Sequence, residues 1–325
     1  MKAEILTILK ETDGYVSGQE LCEKFGVSRT AVWKAMNQLK KEGYEIESVQ
    51  NRGYRLVTTL DILSKNELVS IRKTEWIGNE IYYYDVTDST NTRAKSLGEG
   101  DAPHGTLVVA DKQENGKGRR GRSFESPAGT GIFTTLLLKP DIRPENASML
   151  TLVAAMAVAK GIARVAGITP QIKWPNDIIL HGKKVCGILT EMSAQFDYVN
   201  YIVVGIGINV HNESFDEELS DKATSIFLET GKRINRAKLI EAVWEEFEHY
   251  YALYLETEDL SKIEKEYNTY LVNRNEQVRV LDPKGAYEGK AMGITERGEL
   301  IVDTWEARRL VSAGEVSVRG VYGYV

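Results

Sequence analysis

Cysteine, histidine, proline and long hydrophobic runs are all scarce in this chain. It has two cysteines, four histidines and seven prolines in 325 residues. Cys22 and Cys186 fall in segments that look unrelated, which argues against a disulfide framework. Four histidines without ligand-like spacing argue against a zinc site. The richest apolar stretch, residues 149–159, is far shorter than the ~20 residues a membrane helix needs. Glu4, Lys10 and Glu11 interrupt the only apolar run at the N-terminus that could serve as a signal core. The expectation is a soluble cytoplasmic protein. There are 47 acidic against 41 basic residues, a net charge of −6, which speaks weakly against a nucleic-acid partner. What is present is ordinary for a globular chain: 42% hydrophobic and 27% charged residues, enough apolar surface for a core and too much for disorder. At ~100–200 residues per domain, the length predicts two or three domains.

Three blocks follow from the pattern, at 1–60, 61–273 and 274–325. In the first, Ser17 and Glu20 have the spacing of a capping box, and Leu21, Cys22 and Phe25 give that helix an apolar face. Gly26 permits a sharp turn, and Ser28 can cap a second helix that stops at Gly43. Within it Val32, Ala35, Met36 and Leu39 form one buried stripe. Arg29, Thr30, Trp33, Lys34, Asn37 and Gln38 lie on the other face. Two strand-like runs then flank Gln50-Asn51-Arg52-Gly53, a hairpin signal. Residues 26–57 carry six basic and three acidic side chains. Helix, tight turn, polar-faced helix and basic hairpin predict a winged helix-turn-helix with Ser28, Arg29, Thr30, Trp33, Lys34 and Arg52 facing DNA. A small helical domain with a solvated basic face is the plainer reading.

The second block mixes strand-like runs (106–110, 132–138, 202–208) with helical segments at 148–166 and 238–255. The order is irregular, so the class is α/β or α+β. The third block reads as short strands around turns at Asp282-Pro283-Lys284-Gly285 and Glu296-Arg297-Gly298, a small β-barrel.

The sharpest feature is Gly116-Lys117-Gly118-Arg119-Arg120-Gly121-Arg122. Glycines let the backbone approach a ligand and turn its N–H groups inward, while the cations add full charges. The loop suits a polyanion, yet it matches neither a Walker A loop nor a GxGxxG helix start. A flexible basic surface loop would have the same composition, but the strand-like flanks place this one on a rigid scaffold. Lys173-Trp174-Pro175-Asn176-Asp177 precedes an apolar run and a second turn, which together look like a hairpin with Lys184 at its mouth; a tight turn with solvated lysines is the alternative. Gly205-Ile206-Gly207-Ile208-Asn209 ends an apolar strand with two glycines, a sign of something packed on the backbone. Asp88-Ser89-Thr90-Asn91 fits a helix N-cap at least as well as a binding site. No Ser-His-Asp or Cys-His arrangement and no general base stand out. A cationic site suits a nucleophile that is already anionic, such as a carboxylate attacking the α-phosphorus of ATP, with Lys, Arg and Mg²⁺ neutralising the phosphoryl charge.

These segments, in this order and along essentially the whole chain, resemble the biotin–protein ligases. With the winged helix they resemble the bifunctional type, biotin operon repressor and biotin–[acetyl-CoA-carboxylase] ligase. The resemblance implies a class II synthetase-like central α/β domain and a C-terminal SH3-like barrel, an α+β multidomain protein. It implies that biotin and ATP give biotinyl-5'-AMP, that biotin passes to a lysine of the carboxyl carrier domain of acetyl-CoA carboxylase, and that the adenylate-bound form dimerises and represses biotin operon transcription at operator DNA. By position, Ser89, Thr90, Asn91 and Gln113 would bind biotin. Lys117, Gly118 and Arg119 would order over biotin and phosphate. Lys184 would be the principal electrostatic catalyst, and Asn176, Asp177 and Asn209 would lie around nucleotide or metal. Phe124 stands where an aromatic cover is expected. The family usually has Arg where this chain has Lys117, which keeps the charge and loses the planar fork. A non-enzymatic ligand sensor and a ligase for another acid such as lipoate are the alternatives.

Overall fold

Serine caps and glycine stops shape the N-terminal region of the computed structural model, which describes residues 1–58, 61–282, 285–313 and 317–320. Helix α2 (Gly18–Phe25) starts at Ser17, whose hydroxyl accepts from Glu20 N at 3.0 Å, and ends on left-handed Gly26. Helix α3 (Arg29–Lys41) starts at Ser28 in the same way and buries Val32, Ala35, Met36 and Leu39. These pack with Ile5, Leu6 and Leu9 of helix α1 (Lys2–Glu11), an element the spacing alone did not announce. It is short and begins without a side-chain cap, so no start signal marks it. Strands β1 (Glu45–Val49) and β2 (Gly53–Thr58) pair antiparallel around Asn51 and Gly53, both at positive φ. Val16 and Tyr54 exchange two backbone hydrogen bonds at 2.8 Å, which adds the chain before α2 to the edge of the hairpin.

Helix α4 (Lys65–Ile71) follows, capped by Ser64. It carries a buried carboxylate, Glu67, that takes a hydrogen bond from Tyr44 Oη at 2.8 Å and an ion pair from Lys10 Nζ at 2.7 Å. The chain divides into two units, and this one comprises Met1–Lys73 with Asn235–Glu241. In the latter segment Arg236 donates its N and Nε to the two oxygens of Asp61.

The second unit, Thr74–Ile234 with Ala242–Val325, is built on a seven-stranded sheet ordered β3-β4-β5-β9-β8-β7-β6. The strands are β3 (Ile81–Thr87), β4 (Thr106–Gln113), β5 (Gly131–Leu138), β6 (Gln171–Lys173), β7 (Asp177–Leu180), β8 (Lys183–Ala194) and β9 (Val199–Asn209). Only β3 and β4 run parallel, with helix α5 (Thr90–Glu99) as their crossover; the other pairs are antiparallel, so the unit is α+β. Helix α6 (Leu150–Ala166) is buried on nearly every side. With the 3-10 turn before it, it makes a continuous stretch Pro144–Ala166 of 23 residues, apolar enough to cross a bilayer by length and composition. That corrects the estimate from residues 149–159. Its most apolar 18-residue window is 72% buried, as a core helix that is apolar all round must be.

Two short helices, α7 (Glu217–Ser220) and α8 (Ile226–Thr230), precede the long α9 (Arg236–Thr257) and α10 (Glu264–Tyr270). Leu239, Val243, Phe247 and Tyr251, four apart in sequence on α9, are all buried. The chain then forms a five-stranded antiparallel sheet ordered β13-β12-β11-β10-β14. Its strands are β10 (Gln277–Leu281), β11 (Tyr287–Ile294), β12 (Leu300–Asp303), β13 (Arg308–Val311) and β14 (Ser317–Gly320). The turn expected at 296–298 joins β11 to β12, with Gly298 at φ 75°. Of the turn expected at 282–285, Pro283 and Lys284 lie outside the described residues, as does Leu60 at the first block boundary. Trp174 Nε1 donates to Gly298 O at 2.9 Å and ties this sheet to the segment before β7.

Candidate active site and nucleic-acid interface

Ser89 occupies the N-cap position of α5 but makes no side-chain cap bond, so the expectation of an ordinary cap holds for position and fails for chemistry. The next two residues are held by the sheet beneath them. Gln113, at the end of β4, accepts from Thr90 N at 2.8 Å and Thr90 Oγ1 at 3.1 Å through Oε1. Its Nε2 donates to Ser126 Oγ at 3.0 Å. Asn91 donates to Leu189 O and to Glu191 Oε2 at 2.8 Å. The Thr135 hydroxyl lies 2.8 Å from Thr90 Oγ1 and 2.7 Å from Asn91 Oδ1, and its single proton serves one at a time. Burial would raise the Glu191 carboxyl, but hydrogen bonds from Lys95 and Asn91 outweigh it and hold the group low, hence ionised.

The two glycines of β9 explain themselves here. A Cβ on Gly205 would stand 1.9 Å from Asn91 Oδ1, and one on Gly207 would stand 2.8 Å from the Phe124 ring. Gly187 of β8 faces Lys184 Nζ and the same ring. Phe124 thus covers a bare patch of strand and meets Phe133 edge-on at 6.4 Å. The sequence signal of close packing on the backbone is met by two of the chain's own site residues.

The loop at 116–122 turns back on itself. Gly118 N donates to Arg122 O at 2.7 Å and Phe124 N to Gly116 O at 2.9 Å. Gly116 admits no side chain, because a Cβ would lie 2.2 Å from Phe124 O. Lys117 Nζ donates to Thr92 Oγ1 at 3.0 Å. Arg119 donates to Asn176 Oδ1 at 2.8 Å and to Ala313 O at 2.7 Å, and burial lowers its pKa. Opposite the loop, Lys184 Nζ pairs with Asp177 Oδ1 at 2.6 Å. Lys173 is only 5% exposed, so it is not the solvated turn lysine of the plainer reading. Burial pushes its ammonium down to about 8, against the pull of Asp177. Burial likewise raises the Cys186 thiol, leaving it protonated as a strand hydrophobe.

Ser89, Thr90, Asn91, Gln113, Lys117, Gly118, Arg119, Asn176 and Lys184 line one small cavity of about 50 Å³. It adjoins an open cleft of about 930 Å³ whose rim is the chain from 112 to 127 with Leu189, Glu191 and Asp216. At about 50 Å³ the small cavity has room for a few waters, so a larger ligand must extend into the adjoining cleft or displace the loop that separates them. Asp177 reaches the site through Lys184. Asn209 lies apart from the lining, its amide donating to Thr224 O at 3.1 Å. Residues that sequence reasoning missed are Thr135, Glu191, Ser126 and Thr92. A threonine pair in the otherwise apolar β5 was the one visible signal.

In the first unit the basic side chains of α3 and the hairpin lie at the surface. Arg29, Thr30 and Lys34 are exposed on α3, and Trp33 is 56% exposed. The Ser28 hydroxyl is engaged by Ala31 N at 3.3 Å, and Arg29 leans on Gln19 Oε1 at 3.0 Å. Arg52 is exposed at the hairpin tip.

Comparison with known proteins finds three family models along the chain. The model of the Biotin/lipoate A/B protein ligase family matches residues 83–209, an HTH domain model matches 2–55, and a biotin protein ligase C terminal domain model matches 275–319. The chain is 42% identical over 94% of both chains to the bifunctional ligase/repressor BirA of Bacillus subtilis. Identity to the Escherichia coli BirA is 27% over 93% of this chain and 92% of that one. Among solved structures, the biotin protein ligase from Aquifex aeolicus in complex with biotin and ATP matches with TM-score 0.67 and 31% identity, covering 74% of this chain and 99% of that one. A relative of this identity over this length leaves one assignment: the chain belongs to the biotin/lipoate A/B protein ligase family and, within it, to the bifunctional ligase/repressors.

Proposed function

We propose that the protein activates biotin with ATP to biotinyl-5'-AMP, transfers biotin to a carrier-domain lysine, and represses biotin operon genes when loaded with the adenylate. The observation that carries the first step is the meeting of Lys117, Arg119 and Lys184 around one cavity whose other wall is neutral and hydrogen-bonding. A carboxylate and a triphosphate repel one another, and three cations offset that repulsion and the charge developing at the α-phosphorus. Ser89, Thr90, Asn91 and Gln113 offer donors and acceptors fixed by the sheet, suited to a neutral urea-like ring. Lys184 acts as the electrostatic catalyst, with Asp177 holding it until substrate arrives. Asn176 faces the nucleotide through Arg119, and Asn209 stands further out, near the nucleotide or its metal. ATP enters as its Mg²⁺ complex. Among the described residues no cluster of three His, Cys, Asp or Glu is placed to hold an ion, so the phosphates and water supply most ligands, as Mg²⁺ prefers.

The domains are assigned at 1–60, a winged helix-turn-helix; 61–273, a class II synthetase-like catalytic domain; and 274–325, an SH3-like barrel. Ser28, Arg29, Thr30, Trp33, Lys34 and Arg52 face operator DNA. The acceptor is the biotin carboxyl carrier domain of acetyl-CoA carboxylase, the adenylate-bound form is a homodimer, and the setting is the cytoplasm. Incubation with ATP, Mg²⁺, labelled acid and a carrier domain tests the reading. Label transfer with biotin and none with lipoate is expected. Transfer with lipoate alone, or binding of biotin without adenylate, overturns it.

A further inference from the structure

The hairpin that follows α3 carries two arginines, and the structure gives them different surroundings. Arg52 Cζ lies 4.2 Å from the centre of the Tyr15 ring and Arg55 Cζ lies 5.0 Å from it. Arg55 is also bound: its Nη2 donates to Glu47 Oε2 at 2.8 Å. The same oxygen accepts from Tyr15 Oη at 2.7 Å. The Tyr15 hydroxyl, with Arg55 behind it, holds the Glu47 carboxyl low and ionised. Glu47 and Arg55 face each other across the β1–β2 register, so the pair belongs to the strand ladder.

Tyr15 itself is held by backbone. Its neighbour Val16 exchanges two hydrogen bonds of 2.8 Å with Tyr54 of β2. That approach is close: a Cβ on Gly53 would stand 2.0 Å from Val16 O. The ring is therefore fixed by the main chain on one side and by Glu47 on the other. A guanidinium stacked on such a face loses little further freedom on binding, and its N–H edge stays open to a phosphate.

We propose that Tyr15 is a positioning residue that aims Arg52 at a DNA phosphate, and that Arg55, neutralised by Glu47, contributes stacking and no contact. The inference rests on the DNA-binding reading of this unit and adds to it which hairpin cation touches the backbone and what orients it. Phosphate contacts are shared by all duplexes, so an operator is not required for the test. The probe is a fluorescein-labelled random-sequence duplex titrated with the full chain at several salt concentrations, with biotin-dependent adenylate formation measured alongside.

Arg52→Ala should flatten the log–log salt dependence by roughly one unit per bound protomer. Tyr15→Ala should weaken binding about two- to fivefold, the scale of an exposed cation–π contact, and Tyr15→Phe should restore it. In the Arg52→Ala background, Tyr15→Ala should cost nothing more. Tyr15→Phe keeps the ring and loses only the Glu47 hydrogen bond, so a small residual loss is consistent with it, and adenylate formation should be unchanged in all of these variants. The proposal fails if Arg52→Ala leaves the salt slope intact, if Arg55→Ala flattens it equally, or if the Tyr15→Ala loss persists without Arg52. Thermal melting separates a folding defect from these results. If the unmodified chain binds no duplex, or if Arg29→Ala and Lys34→Ala leave binding intact, it is the DNA-binding reading that falls.

Discussion

Lys173 shows what burial does to one residue of the site. Its ammonium is pushed down to about 8 from 10.5, so between those values the unfolded chain holds more protons than the folded one. Stability from this group therefore rises with pH across that window, and its penalty is complete below about pH 8. Lys173→Met should raise the melting temperature at pH 7 by several degrees, a few kcal/mol at most, because Asp177 keeps its 2.6 Å ion pair with Lys184. The gain should shrink toward pH 10; a gain independent of pH would contradict the account. Lys117 is a second test at this scale. Its single ammonium reaches Thr92 Oγ1, and Lys117→Arg should slow adenylate dissociation several-fold by restoring a two-point contact. Equal off-rates, followed by stopped-flow fluorescence, would refute that.

At the scale of elements, the motif-bearing loops were legible and their supports were not. Gly116, Gly205 and Gly207 are visible in sequence because only glycine admits such close neighbours. The neighbours of the last two, Asn91 and Phe124, lie far away along the chain. The β1–β2 hairpin was legible from its turn, and α3 from its cap and stripe. Helix α1 was not, since its stability comes from packing rather than from local signals. Nor was the tie between α1 and α4, where Lys10 and Tyr44 converge on buried Glu67. Lys10→Met would leave that carboxylate without its cation and should destabilise the first unit by about 3 kcal/mol, read from urea unfolding. An unchanged midpoint would show that the Lys10–Glu67 pair does not stabilise the first unit. Ser89 marks the opposite limit: its spacing read as a cap, and only the geometry shows that the hydroxyl is not used as one.

For the whole molecule, the net charge of −6 misleads as an average. Residues 1–57 hold nine basic and eight acidic side chains, while the remainder carries −7. A DNA-binding unit so nearly neutral gains little from bulk electrostatics, so two copies acting together are the natural route to useful affinity. Sedimentation should therefore show a larger species when biotin and MgATP are added together, with DNA affinity at least tenfold tighter. DNA affinity indifferent to both ligands would separate the two activities. If cations around the 50 Å³ cavity drive biotin adenylation, biotin-dependent exchange of labelled pyrophosphate into ATP reads that step without the carrier or DNA. Exchange should be brisk in the unmodified protein and fall by about 10²-fold or more in Lys184→Ala. Exchange that proceeds without biotin, or that survives Lys184→Ala unchanged, would contradict that reading.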